Sequence, residues 1–318
     1  MNGEIMKRPT RAGRFRTAAA LGMVATFALG ACSGGGGDNP LQDTEGAGTP
    51  APEGTVVVGS ANFPENVLLG EIYAQALEAK GVNVEKKLNI GSREVIYKSV
   101  SGGELTVLPE YNGALLAYLD DTSTADTTET VNAELNEKLP EELTLLDSAA
   151  AEDKDSLVVH KETADRYNLR TIADLEPVAG ELILGGPPEF KTRRQGSVGL
   201  KEVYGIEFRE FRSLDTAGPV TINALKAGDI DVANLFTTDP AVATDEFVVL
   251  DDPENLFSAQ NVTPLVYEPA LTDTIRDTLN AVSAELDTPM LLDMMQQVVT
   301  AKEDPDKVAA EWLRTAGL

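Results

Sequence analysis

From residue 55 onward the hydrophobic and polar positions alternate between short β-branched runs and longer segments of helical period. TVVVGS (55–60) predicts a buried strand that stops at Gly and Ser. PENVLLGEIYAQALEAKG follows, with Leu68, Ile72 and Ala76 spaced for one helical face and Gly81 as the stop. Asn62 stands where the N-cap is expected, and Pro64 is tolerated in the first turn. A strand near NVEKKLNI, a helix at REVIYKSVSG and the strand LTVL complete a β–α–β–α–β series, the signature of an α/β lobe. A second series starts near residue 156. It reads strand SLVVH, helix KETADRYNL, strand ELILGG, helix TRRQGSVGLKEVYG, strand EFREF, helix GPVTINALKAG and strand DIDVANLF. AQNVTPLVYEPAL then reads as a return crossing. It leads into helices at TDTIRDTLNAVSAEL, TPMLLDMMQQVVTAK and DPDKVAAEWLRTAG, expected to pack on the first lobe.

The two series repeat one another. Without a gap, SGGELTVLPEYNG (101–113) aligns with KAGDIDVANLFTT (226–238), so that Gly103 meets Gly228, Leu105 meets Ile230, Val107 meets Val232 and Tyr111 meets Phe236. Each copy is a helix, a Gly stop, an acidic residue and a buried strand closed by an aromatic. Open α/β sheets collect ligands beyond the carboxyl ends of their strands. Two like lobes facing one cleft, each offering an aromatic, account for the repetition.

Charge changes the picture of partners. Against 26 Lys and Arg stand 52 Asp and Glu, a formal −26. Such a surface repels phosphate backbones, which disfavours nucleic acid, and its field draws cations. The basic residues Lys7, Arg8, Arg11, Arg14 and Arg16 precede a weakly polar run from Ala18 to Ala31, the charge order of a signal peptide. The run closes in LGAC (29–32), which resembles the lipobox of bacterial lipoproteins. That resemblance implies lipid on Cys32, the only cysteine in the chain, and removal of residues 1–31. A Gly-, Pro- and Thr-rich stretch with little to bury follows, expected to be a tether over 32–54. No later stretch reaches the roughly 18 apolar residues of a membrane span.

GSANFPENVLLGEIYAQALEAKG, GSREVIYKSVSGGEL, PEYNG, LGGPPEFKTRRQGSVGLKEVYG and DIDVANLFTTDPA resemble, in order, the substrate-binding proteins of osmoprotectant ABC importers, the glycine betaine, carnitine and choline binders. The resemblance implies an α/β, two-lobed type II periplasmic binding protein fold, with two crossing segments and the ligand cleft between the lobes. The expected organisation is residues 55–150 with 261–318 as lobe 1 and 151–260 as lobe 2. It also implies a cage of aromatics for a quaternary ammonium, which has no N–H to donate and is held by π faces and dispersion. Tyr111 matches one cage tyrosine, and Phe236 stands where the family often has another. Asp155 and Ile222 occupy positions where further tyrosines are expected, and Asp155 offers a counter-charge instead. Arg193 aligns with an arginine placed near the ligand carboxylate, where a guanidinium fork holds two oxygens at once. Asn62, Asn66 and Asn112 are candidate amide donors, with turn and cap duties as their other reading.

An enzyme is disfavoured. His160 is the sole histidine and lies in an apolar strand, Ser197 lacks the Gly-x-Ser-x-Gly context, and no Cys or His cluster suits a metal. No cofactor is implied. The expectation is a monomeric, lipid-anchored solute receptor on the extracytoplasmic face of the cell membrane, serving an ABC permease and its ATPase. A receptor of the same fold for a polyol or other polar solute, and a surface or structural lipoprotein, are the alternatives.

Overall fold

The computed structural model describes residues 50–244 and 246–318. The signal segment 1–31, the lipidation position Cys32 and most of the tether expected over 32–54 lie outside the described residues. The elements in chain order are β1 (Val56–Ala61), α1 (Pro64–Ala79), β2 (Val84–Gly91), α2 (Arg93–Ser101), β3 (Val107–Tyr111), α3 (Asn112–Leu119), α4 (Thr128–Lys138) and β4 (Leu143–Leu145). Next come β5 (Asp155–His160), α5 (Lys161–Tyr167), β6 (Ile183–Gly186), α6 (Ser197–Tyr204), β7 (Glu210–Ser213), α7 (Pro219–Ala227), β8 (Val232–Phe236) and β9 (Phe247–Val249). The chain closes with β10 (Val262–Tyr267), α8 (Asp273–Glu285), α9 (Thr288–Met295) and α10 (Pro305–Ala316).

The strands make two five-stranded sheets of the same design. The first has the order β2-β1-β3-β10-β4 and the second β7-β6-β8-β5-β9. In each, three adjacent strands pair in parallel, the middle strand of the five is the one that carries the sequence repeat, and its other neighbour runs antiparallel to the remaining four. The repeat is therefore structural. Gly103 and Gly228 both adopt positive φ, +74° and +72°. Their amides bond to Val100 and Leu225, and the next amides, of Glu104 and Asp229, reach Ser99 O and Ala224 O at 2.9 Å. Each of these partner pairs is offset by the same step along the chain as the aligned residues. A left-handed glycine reverses the chain out of the helix, and the strand that follows ends on Tyr111 or Phe236.

Helices cover both faces of the first sheet. One core joins Leu68, Leu69, Ile72 and Tyr73 of α1 to Leu279, Leu291, Met294 and Leu313 of the C-terminal helices. The opposite core joins Ile96, Leu115, Val131 and Leu135 to Leu108 and Leu265. Two further cores sandwich the second sheet. The segments that pass from one sheet to the other, before β5 and before β10, run side by side. Ala149 N bonds Val262 O at 2.8 Å, Val262 N bonds Ala151 O at 3.0 Å, and Asp153 N bonds Gln260 O at 3.1 Å. These paired crossings are the short backbone ladder that holds the two halves in register.

Two expectations are corrected. The N-cap of α1 is Phe63, not Asn62, and its side chain makes no cap bond; Pro64 fixes the first helical residue and pushes the one before it into extended backbone. The helix expected from residue 192 begins only at Ser197. Gly196 passes so close to Phe190 that a Cβ would lie 2.0 Å from the Phe190 carbonyl oxygen, and this tight passage forces residues 192–196 into a loop. That loop carries Arg193 to the junction of the two sheets.

Candidate functional site

The carboxyl ends of β3 and β8 meet across a cleft, and the loop between β1 and α1 fills part of it. Tyr111 closes β3 and pairs in register with Val262; Phe236 closes β8 and pairs with Asp155. The two rings do not stack on each other. Phe63 stands between them, its centroid 5.0 Å from Phe236 and 6.0 Å from Tyr111. Three aromatics from three separate elements thus converge, as offset rings at these distances favour. Phe63 was not among the residues picked from the sequence. Its only signal there was its place beside Pro64, at a point where no periodicity operates.

These rings line a pocket of about 50 Å3, together with Asn62, Asn66, Arg93, Glu110, Asp153, Asp155 and Arg193. On one side the cleft continues into a cavity of about 250 Å3 that shares Arg93, Asp155 and Arg193 and adds Glu94 and Tyr118. Past Phe63 and Phe236 lies a wider cavity of about 450 Å3, walled by Pro219, Ile222, Pro240, Met295 and Val299 among others.

Buried carboxyls surround the aromatics. Glu65, at the start of α1, is 1% exposed; it accepts from Tyr111 Oη at 2.7 Å on one oxygen and from Thr238 Oγ1 on the other. Its two donors come from the end of β3 and from the turn just past β8, one from each half of the molecule. Asp153, on the first crossing, accepts from the Thr238 amide at 3.1 Å and from Thr237 Oγ1. Burial pushes the Glu65 carboxyl up, against the pull of the hydrogen bonds from Thr238 and Tyr111. Burial, and then the charge of Glu65, pushes Asp153 well up. Two carboxyls this close and this dry resist carrying two charges together. Burial likewise raises Asp155, which Asn234 Nδ2 partly offsets by donating at 2.8 Å.

The guanidinium groups at the cleft are both engaged. Arg93 forks onto Glu110, with Nε to Oε1 at 2.9 Å and Nη2 to Oε2 at 2.9 Å. Arg193 forks onto Glu94 of α2, with Nε to Oε1 at 2.9 Å and Nη2 to Oε2 at 3.0 Å, joining the loop before α6 to the other half of the molecule. Arg194, its neighbour, lines the side cavity and also a second cavity beyond it, and lies 3.8 Å from Glu202.

The remaining picks fall in two groups. Asn62 is exposed and lines the pocket rim. Asn66 and Asn112 are spent on architecture. Asn66 accepts from the Ala61 amide at 2.6 Å and donates to Pro109 O at 3.0 Å, locking α1 between β1 and β3. Asn112 donates to Asn132 and accepts from the amides of Gly113 and Asn261, and it lies behind the cleft rather than in its lining. His160 accepts from the Glu162 amide at 3.2 Å and caps α5, a structural post. Among the described residues, no group of three His, Cys, Asp or Glu is arranged to hold a metal ion.

Aromatic faces, buried carboxyls and hydrogen-bonded arginines suit the holding of a small cation. Comparison with known proteins agrees with that chemistry. The glycine betaine-binding protein YehZ of Escherichia coli (strain K12) is 29% identical over 277 residues, covering 82% of this chain and 90% of that protein. The carnitine transport binding protein OpuCC of Listeria monocytogenes is 24% identical over 268 residues, covering 82% and 86%. Among solved structures, a glycine betaine/carnitine/choline ABC transporter protein superposes with a TM-score of 0.62 at 21% identity, over 82% of this chain and 98% of that one. YehZ superposes with a TM-score of 0.55 at 28% identity, over 83% and 99%. These neighbours carry the two-lobed periplasmic binding protein fold. The family described as the substrate-binding domain of the ABC-type glycine betaine transport system matches residues 54–315, and the chain belongs to it.

Proposed function

We propose that this protein is the extracytoplasmic solute receptor of an ABC importer and that its solute is a small quaternary ammonium compound of the glycine betaine, choline or carnitine kind. The observation that carries the reading is the convergence of Phe63, Tyr111 and Phe236 beside Asp155. A quaternary ammonium is attracted to ring faces and to nearby negative charge, and needs no hydrogen-bond acceptor. Tyr111, Phe236 and Phe63 form the aromatic walls, Asp155 lends counter-charge, Arg193 faces the ligand's carboxylate where it has one, and Asn62 lines the mouth. A pocket of about 50 Å3 holds only a few waters, so the halves part along the crossings to admit the solute and close over it. Residues 55–150 with 261–318 move as one lobe and 151–260 as the other. The bound solute stabilises the closed form, and that form signals occupancy to the permease. The protein does no chemistry on its cargo.

Calorimetry with glycine betaine, carnitine, choline and an uncharged polyol tests this. Binding of the ammonium compounds, weakened about tenfold or more by Tyr111→Ala, is the expected outcome. Binding of the polyol alone, indifferent to Tyr111→Ala, would leave the receptor fold and reject the ammonium. The lipobox-like LGAC supports a lipid anchor on Cys32 that holds a monomeric receptor at the membrane. Cys32→Ala is expected to move the protein into the soluble fraction or to block its maturation.

A further inference from the structure

Arg193 is the residue the ligand carboxylate is meant to meet, yet its fork already holds a carboxylate. Nε and Nη2 both reach Glu94, at 2.9 and 3.0 Å, in the side-by-side geometry that a bound carboxylate would use. Arg93, the other cation lining this pocket among the described residues, is bound with the same geometry to Glu110. The two pairs differ in what surrounds them. The Glu110 side chain is 3% exposed, so pulling Arg93 away would strand a buried charge. The Glu94 side chain is 38% exposed and rises from the first turn of α2, so it can swing into water without that penalty. Arg193 is therefore the exchangeable fork, and Glu94 is what it must be exchanged from.

We propose that Glu94 is a specificity-determining residue of the cleft: held on Arg193 as a tethered carboxylate, it competes with the carboxylate of a ligand and tilts the site toward cationic solutes that carry none. This rests on the quaternary ammonium reading above and deepens it. The competitor is present at every physiological pH. Against the upward push of partial burial, the hydrogen bond and charge of Arg193 bring the Glu94 carboxyl down to about 2. The charge balance points the same way. Around the pocket and its side cavity the guanidinium groups of Arg93, Arg193 and Arg194 stand against the carboxyls of Glu94, Glu110, Asp121, Asp155 and Glu189, with the protonation-prone Asp153 beside them, a balance that favours an incoming cation over a zwitterion's negative end.

The same pair also ties one half of the molecule to the other, so a variant that breaks it changes the affinity for every ligand through the closing equilibrium. The ratio between two ligands removes that common part. Calorimetry with glycine betaine and choline on the wild type, Glu94→Gln, Arg193→Gln and the double variant measures it. Glu94→Gln keeps the shape and the helix position while removing the competing charge. The choline-over-betaine preference is expected to fall roughly two- to fivefold in Glu94→Gln, the range of a partly exposed ion pair. That shift is expected to vanish when Arg193→Gln is already present, because the two residues act through one contact. A preference unchanged by Glu94→Gln, or changed equally without Arg193, overturns the role of Glu94 alone. Binding of neither ligand by any of the four proteins overturns the quaternary ammonium reading and this inference with it.

Discussion

Tyr111 donates its phenolic hydrogen to Glu65 Oε1 at 2.7 Å, and Thr238 donates to Oε2 of the same carboxyl from the other half of the molecule. One buried side chain thus ties the end of β3 and the start of α1 to the residues just past β8. The phenol serves two ends, since its ring lines the cleft and its hydroxyl holds the junction.

Tyr111→Phe separates those roles. Removing the donor leaves a buried oxygen of Glu65 short of a partner, which costs about 1–3 kcal/mol of stability in denaturant unfolding. The ring face is kept, so binding of choline is expected to stay within a few-fold of wild type. A variant as stable as wild type would mean that the hydroxyl bond contributes nothing to the junction.

Acidity acts on the same region with a definite sign. Burial pushes the carboxyl of Asp239, 5% exposed, up to about 6, above the roughly 3.9 of an unfolded chain. The fold therefore prefers the protonated acid. Its contribution is complete below about pH 4 and is lost as the pH rises through about 6. Asp239→Asn imitates the protonated form and keeps an acceptor for the Ala241 amide, which Asp239 Oδ1 now holds at 2.7 Å. The variant is expected to exceed wild type in stability at pH 7 by up to roughly 3 kcal/mol, with the gap closing toward pH 4. A pH-independent gap between the two unfolding curves would refute this. Glu65, Asp153 and Asp155 are raised in the same direction, so the whole protein is expected to be more stable in mild acid than at neutrality.

The paired glycines of the repeat make a matched experiment. Gly103 and Gly228 share nearly the same positive φ, +74° and +72°, and the same place after a helix. A Cβ at Gly228 meets nothing within 4 Å, whereas one at Gly103 comes within 2.9 Å of the Tyr267 ring. Gly228→Ala is expected to cost about 1–2 kcal/mol, the backbone strain alone. Gly103→Ala adds the displacement of Tyr267 and is expected to cost more. Equal losses in thermal unfolding would show that the Tyr267 ring yields freely.

The same repeat marks how far the sequence could be read. Local periodicity and glycine stops gave both central strands, their aromatic ends and the α/β series of each half, because those features arise within a dozen residues. The contacts of the site do not. Glu94 and Arg193 are drawn together by the first turn of α2 and the loop before α6, and nothing in the spelling of either segment announces the other. For Asn66 and Asn112 the sequence leaves ligand contact and architectural duty both open, because most of the partners that settle it are backbone atoms, which every sequence contains. Phe63 was passed over because a residue wedged between a strand and a helix obeys neither period.

That overlooked ring carries the last prediction. Phe63 is the one aromatic near both others, 5.0 Å from Phe236 and 6.0 Å from Tyr111. If its role is to present a π face to a cation, shape and electrons can be pulled apart by substitution. Phe63→Leu keeps most of the apolar bulk and loses the quadrupole, so choline binding is expected to weaken by about 1 kcal/mol, roughly fivefold. Phe63→Ala loses both and is expected to weaken it tenfold or more, while Phe63→Trp, with the stronger π face, is expected to hold or tighten it where the wider ring fits. Each variant is compared with wild type for choline and for an uncharged analogue in which carbon replaces nitrogen. A charge-dependent loss in Phe63→Leu identifies cation recognition. If Leu binds choline as well as Phe does and only Ala fails, Phe63 is a packing wedge, and the aromatic cage consists of Tyr111 and Phe236 alone.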